Sequence, residues 1–143
     1  MANVTSSMTA RRKARKRALD VLYEADLRRR PITDALEAYV ERLETPKPEQ
    51  LGYTVAVVEG VAAHLDRVDE LIASYAEGWT LERMPVVDRN LARIAVYELV
   101  YVDEIDDAVA ITEAVELAKT LSTEDSPRFL NGLLGRIAEY AAR

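Results

Sequence analysis

The chain contains no cysteine and one histidine, His64. The first absence excludes disulfide frameworks, thiolate zinc sites and cysteine nucleophiles, and it permits a reducing cytosol without proving one. The second leaves His64, between Ala63 and Leu65, with no partner histidine for a metal and no serine pattern suited to a triad. A satisfied or exposed helix histidine accounts for it better. Glycine is also sparse: its five positions, 52, 60, 78, 132 and 135, form no phosphate-binding loop and no dinucleotide fingerprint. The longest uncharged apolar stretch, Gln50 to Val58, is far short of the roughly 18 residues that cross a bilayer, and no apolar signal segment follows the basic run. The expectation is a soluble, cytoplasmic protein that is not an enzyme and holds no cofactor or metal. Acidic groups at Asp66, Asp69 and Glu70, at Asp103 and Glu104, and at Asp106 and Asp107 fit solvated helix ends and faces better than acid–base chemistry.

What the chain does have is charge, unevenly placed. Its formal net charge is -6, yet Arg11 to Arg17 holds six cations in seven positions. Up to Arg30 there are nine Lys/Arg against Asp20, Glu24 and Asp26, which leaves 10 bases and 22 acids, near -12, for the remainder. A basic pole on an acidic body points to a polyanionic partner, nucleic acid first. Six like charges within two turns repel one another, so a merely solvated face is the weaker explanation.

The 143 residues suit one domain able to bury roughly 70% of its unfolded surface. Periodicity is helical throughout and no stretch alternates as a strand does. The first helix is expected from near Thr9 to before Pro31, with Ala14, Ala18, Val21, Leu22 and Ala25 on one face. A second follows Thr33 and is closed by the Thr45-Pro46-Lys47-Pro48 linker. A long third pattern runs through Leu51, Val55, Val58, Ala62, Leu65, Val68 or Asp69, Ile72 and Ala76, with Gly60 inside it as the place for a bend or a close helix approach. Three more helices are expected: after Pro85 (Val87, Leu91, Ile94, Ala95, Leu99), after Asp106 or Asp107 (Ala108, Ile111, Val115, Ala118), and from Ser126-Pro127 (Phe129, Leu133, Ile137, Tyr140). The reading is an all-α bundle of six or seven helices, with a mobile tail over residues 1–8 and a single domain over residues 9–143.

On the first helix, Arg12, Lys16, Leu19, Tyr23 and Leu27 form a stripe opposite Ala14, Ala18 and Val21. An aromatic ring beside cations is how single strands are held: the cations take phosphates and the ring stacks a base for about 1–3 kcal/mol. A second buried stripe of a central helix is the other reading, and helical geometry alone leaves both open.

Several segments in series carry a family resemblance. These are Ala10-Arg-Arg-Lys-Ala-Arg-Lys-Arg-Ala-Leu-Asp-Val-Leu-Tyr23, Val86-Val-Asp-Arg-Asn-Leu-Ala-Arg-Ile-Ala-Val-Tyr-Glu-Leu99, Ile111-Thr-Glu-Ala-Val-Glu-Leu-Ala-Lys119 and Glu124-Asp-Ser-Pro-Arg-Phe-Leu-Asn-Gly132. In order and spacing, from Ala10 to Ile137, the chain resembles the NusB family of bacterial transcription antitermination factors. The resemblance implies a small helical protein whose arginine-rich helix binds single-stranded boxA RNA of ribosomal RNA leaders together with ribosomal protein S10 (NusE). It also implies assembly with NusA, NusG and RNA polymerase into a complex that reads through terminators.

Carried over residue by residue, the resemblance puts phosphate contacts on Arg11, Arg12, Lys13, Arg15, Lys16 and Arg17. It places Tyr23 near the RNA and marks Asp125 and Phe129 as candidate base contacts. For Phe129 the alternative is an ordinary core ring, and for Asp125 a helix cap. Arg93 is a further RNA candidate, with a surface salt bridge as its alternative. The chain departs from the family's usual pattern at Ala92, where a bulkier aliphatic is common, and at Leu130 before Asn131-Gly132, whose glycine is expected at a close helix crossing.

Two other readings stand beside this one. A protein adaptor would use the basic helix on an acidic partner, and its affinity would respond weakly to salt, whereas neutralising about five phosphates gives a log–log slope near -3.5. The RNA-binding domain of certain ribosomal RNA cytosine methyltransferases is also NusB-like, but the length is not expected to accommodate a methyl-donor domain. Whether the free protein is a monomer or a homodimer that masks the basic face is left open by these residues.

Overall fold

Helical periodicity becomes seven α-helices and one 3-10 turn in the computed structural model, which describes residues 2–142, with side chains from Ala10 onward. The expected tail over residues 1–8 falls outside the side chains so described. In order the helices are α1 (Ala2–Leu27), α2 (Ile32–Arg42), α3 (Pro48–Ala63), α4 (Leu65–Tyr75), α5 (Val86–Tyr101), α6 (Asp107–Leu121) and α7 (Ser126–Ala141), with the 3-10 turn at Leu81–Arg83 before α5. No strand occurs among the described residues. The chain forms two compact units, Met1–Ala62 and Ala63–Arg143.

In the first unit α1 buries the expected face, Ala14, Ala18, Val21, Leu22 and Ala25. It ends before Pro31 with Arg29 at φ 54 and the Arg30 amide donating to the Ala25 carbonyl at 2.8 Å. That is a left-handed helix cap, a place usually held by glycine. Helix α2 packs on α1, and the Tyr39 hydroxyl donates to the Gln50 carbonyl at 3.1 Å, tying α2 to α3. Pro48 opens α3, where its missing amide proton costs nothing. The Lys47 amide just before it donates to Gln50 Oε1 at 3.0 Å, one half of a capping box. The expected stripe of α3 is mis-phased: Thr54, Val57, Val58 and Val61 are buried, whereas Leu51, Val55 and Ala62 are half-buried. Apolar residues lie almost all round this helix, so its period does not choose a face. Thr54 joins the buried side because its hydroxyl donates to the Ala14 carbonyl at 3.1 Å.

The long third pattern is two helices. His64 leaves helical geometry at φ -118, ψ 20, and its ring lies flat on Tyr101, with centroids 3.8 Å apart. In the second unit α5, α6 and α7 pack on one another and α4 packs on α5 and α7. Helix α5 is buried on most of its circumference, including Ala92 and the polar Asp88, Asn90 and Glu98. On α6 the buried residues are Ala110, Glu113, Ala114, Leu117 and Ala118; the expected Ala108 is exposed, and Ile111 and Val115 are half-buried. Gly132 does not mark a close helix crossing: a Cβ there would meet only Nη1 of Arg136, one turn along the same helix, at 3.2 Å.

Polar pins fix the second unit. Arg136 donates from Nε and Nη2 to the Tyr75 carbonyl at 3.1 and 2.9 Å, satisfying the open end of α4. Asp88, buried in the first turn of α5, accepts from the hydroxyls of Ser122 and Ser126, the latter at 2.8 Å. Ser126 Oγ also accepts from the Thr123 amide at 3.2 Å. One carboxylate thus sets where α6 ends and α7 begins. Among the described residues no buried side-chain nitrogen or oxygen lacks a partner. Removing Asp88 as Asp88→Ala takes away the acceptor that two hydroxyls share and leaves them only each other and Thr123, so stability should fall by about 1–3 kcal/mol, measured as a lower urea midpoint with unchanged helical circular dichroism.

Candidate nucleic-acid interface

The basic run is a continuous part of α1, because alanine, arginine and lysine all propagate helix well. Its six cations do not share one environment. Arg12 and Lys13 are exposed, Lys16 is partly exposed, and together they project from one side of the helix. Arg11, Arg15 and Arg17 turn to α3. The Arg11 guanidinium sits 4.0 Å from the centroid of the Tyr53 ring, and that of Arg15 sits 5.7 Å from the same centroid. Arg15 is only 3% exposed. Arg17 donates from Nη1 to the Glu49 carbonyl at 3.1 Å. Three of the six charges therefore help hold α1 to α3, with the π face of one tyrosine attracting two of them. A shallow cleft beside this stack is lined by Ala10, Arg11, Ala14, Glu49 and Tyr53.

Tyr53 was not legible as a site residue from the apolar pattern, since it lies off the Leu51-Val55-Val58 repeat. A signal did exist: Arg11, Arg15, Ala18 and Leu22 are spaced four, three and four apart, which puts both arginines on the buried face of α1.

The outward side carries more than cations. Tyr23 is 39% exposed and Leu27 is exposed, whereas Leu19 of the same stripe is buried, so Tyr23 is not a core ring. Lys16 Nζ lies 2.9 Å from both carboxylate oxygens of Asp20, one turn on. Glu24 meets Arg42 of α2 at 3.4 Å and Arg28 at 3.9 Å. Tyr39 of α2 has its pKa raised from 10.0, first by burial and then by the Asp20 carboxylate, with Arg17 opposing.

The remaining candidates belong to the second unit. Asp125 stands at the N-cap of α7 with its side chain exposed and no capping hydrogen bond, and Phe129 is half-buried one turn along. Arg93 is held in a bidentate pair with Asp69, at 2.8 and 2.9 Å, and donates from Nη1 to Asn90 Oδ1 at 3.0 Å. Its side chain and that of Asp69 are mostly covered. No group of three His, Asp or Glu among the described residues could hold a metal, and no described helix is long and apolar enough to cross a membrane.

Fold and surface together define a class: an all-α protein that presents one face of a basic helix, with a ring on it, while the other face is stapled into its core. Comparison with known proteins gives the particular family. The NusB family model matches residues 12–139. A transcription antitermination protein NusB from Salinispora tropica is 81% identical over 136 residues, covering 95% of this chain and all of that one. Its counterpart from Beutenbergia cavernae is 56% identical, covering 94% and 92%. Among solved structures, T. maritima NusB superposes with a TM-score of 0.82 at 36% identity, covering 93% of each chain. A crystal structure of the antitermination factors NusB and NusE in complex with double-stranded RNA matches with a TM-score of 0.80 at 26% identity, covering 93% of this chain and 98% of that one. The chain belongs to the NusB family.

Two outcomes follow from the geometry. Arg15→Ala should destabilise the protein by about 1–3 kcal/mol through lost packing and the lost ring contact, whereas Arg12→Ala should stay within about 0.5 kcal/mol of wild type, both read from urea unfolding. Tyr39 is raised in the folded state, so its contribution is fully present below pH 10 and is lost as pH rises through 10 toward the folded value. The stability advantage of wild type over Tyr39→Phe should therefore shrink between pH 8 and pH 11, read from paired urea midpoints.

Proposed function

We propose that this chain is an RNA-binding transcription antitermination factor that binds boxA of nascent ribosomal RNA together with ribosomal protein S10 (NusE) and supports read-through by RNA polymerase. The observation that carries the reading is the outward face of α1: Arg12, Lys13 and Lys16 project on the same side of the helix as the exposed ring of Tyr23, about two to three turns further along, in a NusB-family chain. Phosphates take the cations and an unpaired base stacks on Tyr23, so affinity and orientation come from the backbone and selectivity from bases. The structural neighbour that contains NusE and RNA supports both as partners. NusA, NusG and the polymerase complete the assembly, and its place is the cytoplasm, where nascent transcripts are made.

The six cations have unequal parts in this reading. Arg12, Lys13 and Lys16 touch RNA directly, while Arg11, Arg15 and Arg17 act chiefly by holding α1 in place. In the second unit, the exposed Asp125 carboxylate accepts from a base amino group and Phe129 offers a partly open ring. Arg93 is left out of the contact set because its guanidinium is committed to Asp69 and Asn90.

Replacing Arg12, Lys13 and Lys16 together by alanine should abolish preferential boxA binding and flatten the log–log salt dependence by about 1.5–2, with the urea midpoint preserved. Fluorescence anisotropy of a boxA oligonucleotide against a scrambled one, with and without S10, reads this directly. Unchanged affinity in the triple variant would count against the reading. Binding of an acidic protein with little salt response, and of no RNA, would favour an adaptor instead.

A further inference from the structure

We infer that Asp20 is an internal competitor for phosphate on the RNA-binding face, keeping Lys16 partly neutralised until RNA displaces it; this rests on the RNA-binding reading above. Lys16 Nζ is 2.9 Å from both Asp20 oxygens, so the carboxylate occupies the position a phosphate would take. The pair is open to water, with 43% of the Lys16 side chain and 60% of the Asp20 side chain exposed. An exposed pair of this kind contributes little to folding. Its consequence lies in what approaches the helix.

Position makes that consequence specific. Asp20 lies one turn beyond Lys16 and one turn before Tyr23, so it stands between the last outward cation of the basic run and the ring proposed to stack a base. A strand passing from Lys16 to Tyr23 brings a phosphate to this point. The carboxylate then acts twice: it must release Lys16, and it repels the incoming phosphate. The neighbouring acid does not play the same part, because Glu24 is turned to Arg42 of α2 and to Arg28. Asp20 also faces Tyr39 across the α1–α2 contact, where its charge helps raise the phenol's pKa, so the carboxylate sits at the edge of the packed unit. The device lowers affinity for polyanions in general and leaves discrimination between sequences to base contacts.

Asp20→Asn is nearly isosteric and removes the charge. Measured on the full chain against boxA RNA, oligo(U) of equal length and heparin, it should bind all three about fivefold more tightly at low salt, with a salt dependence steeper by about 0.7 for the RNAs. In a Lys16→Ala background Asp20→Asn should gain clearly less than in wild type, the remainder being lost repulsion, whereas the two changes would simply add if the residues were independent. An unchanged urea midpoint shows that the effect is not one of folding. Equal or weaker binding of Asp20→Asn to RNA and heparin overturns the inference, and weaker binding to boxA alone would mean the carboxylate contacts a base. If wild type shows no preference for boxA, the antitermination reading fails separately, and heparin affinity alone still decides whether Asp20 competes for Lys16.

Discussion

Two guanidinium groups share the ring of Tyr53, and the usefulness of the basic helix depends on that contact. Six cations within seven residues repel one another, and a helix so charged has little reason to stay packed on its own. Seating Arg11 and Arg15 on an aromatic face, with Arg17 on the Glu49 carbonyl, turns half of the charge into attachment. The Thr54 hydroxyl on the Ala14 carbonyl adds a neutral bond at the same level of α1. What remains outward is a short row of Arg12, Lys13 and Lys16, followed by Tyr23. A rigid row of this kind binds a polyanion without paying to order the helix first, which is the benefit of preorganisation.

The second unit relies on buried polar groups rather than on a tyrosine. Asp88 in the first turn of α5 gathers Ser122 and Ser126, so the end of α6 and the start of α7 are fixed by one carboxylate. That placement leaves Asp125 just outside the helix with its side chain in water and Phe129 one turn inside. Helix α7 begins at Ser126, as the sequence pattern predicts, and the hydroxyl of that serine serves the Asp88 node.

Legibility in the sequence followed how sharply each helix separates polar from apolar residues. Helix α1 was read correctly along Ala14, Ala18, Val21, Leu22 and Ala25, because charged residues surround that stripe. Helix α3 was read as continuous with α4 and α6 was given the right start, but both were assigned the wrong face, since valine and alanine occur nearly all round them and a threonine and a glutamate are buried. The bend expected at Gly60 falls one turn later, at His64, where no proline or glycine stands and a ring stack with Tyr101, distant in sequence, accompanies the break. The functional face was legible in part. The concentration of charge was evident, but its division into inward and outward halves needed the position of Tyr53, and the close approach of Asp20 to Lys16 needed coordinates.

The central claim is that the outward half of the basic run meets RNA while the inward half holds the helix. Lysine footprinting tests it most directly, because the chain has only four lysines, at 13, 16, 47 and 119. Reductive methylation of the S10-bound protein, with and without boxA RNA, followed by mass spectrometry, should show Lys13 and Lys16 protected by RNA and Lys119 unchanged. Equal labelling of Lys13 and Lys16 in the two samples, or protection spread evenly to Lys119, would contradict the account.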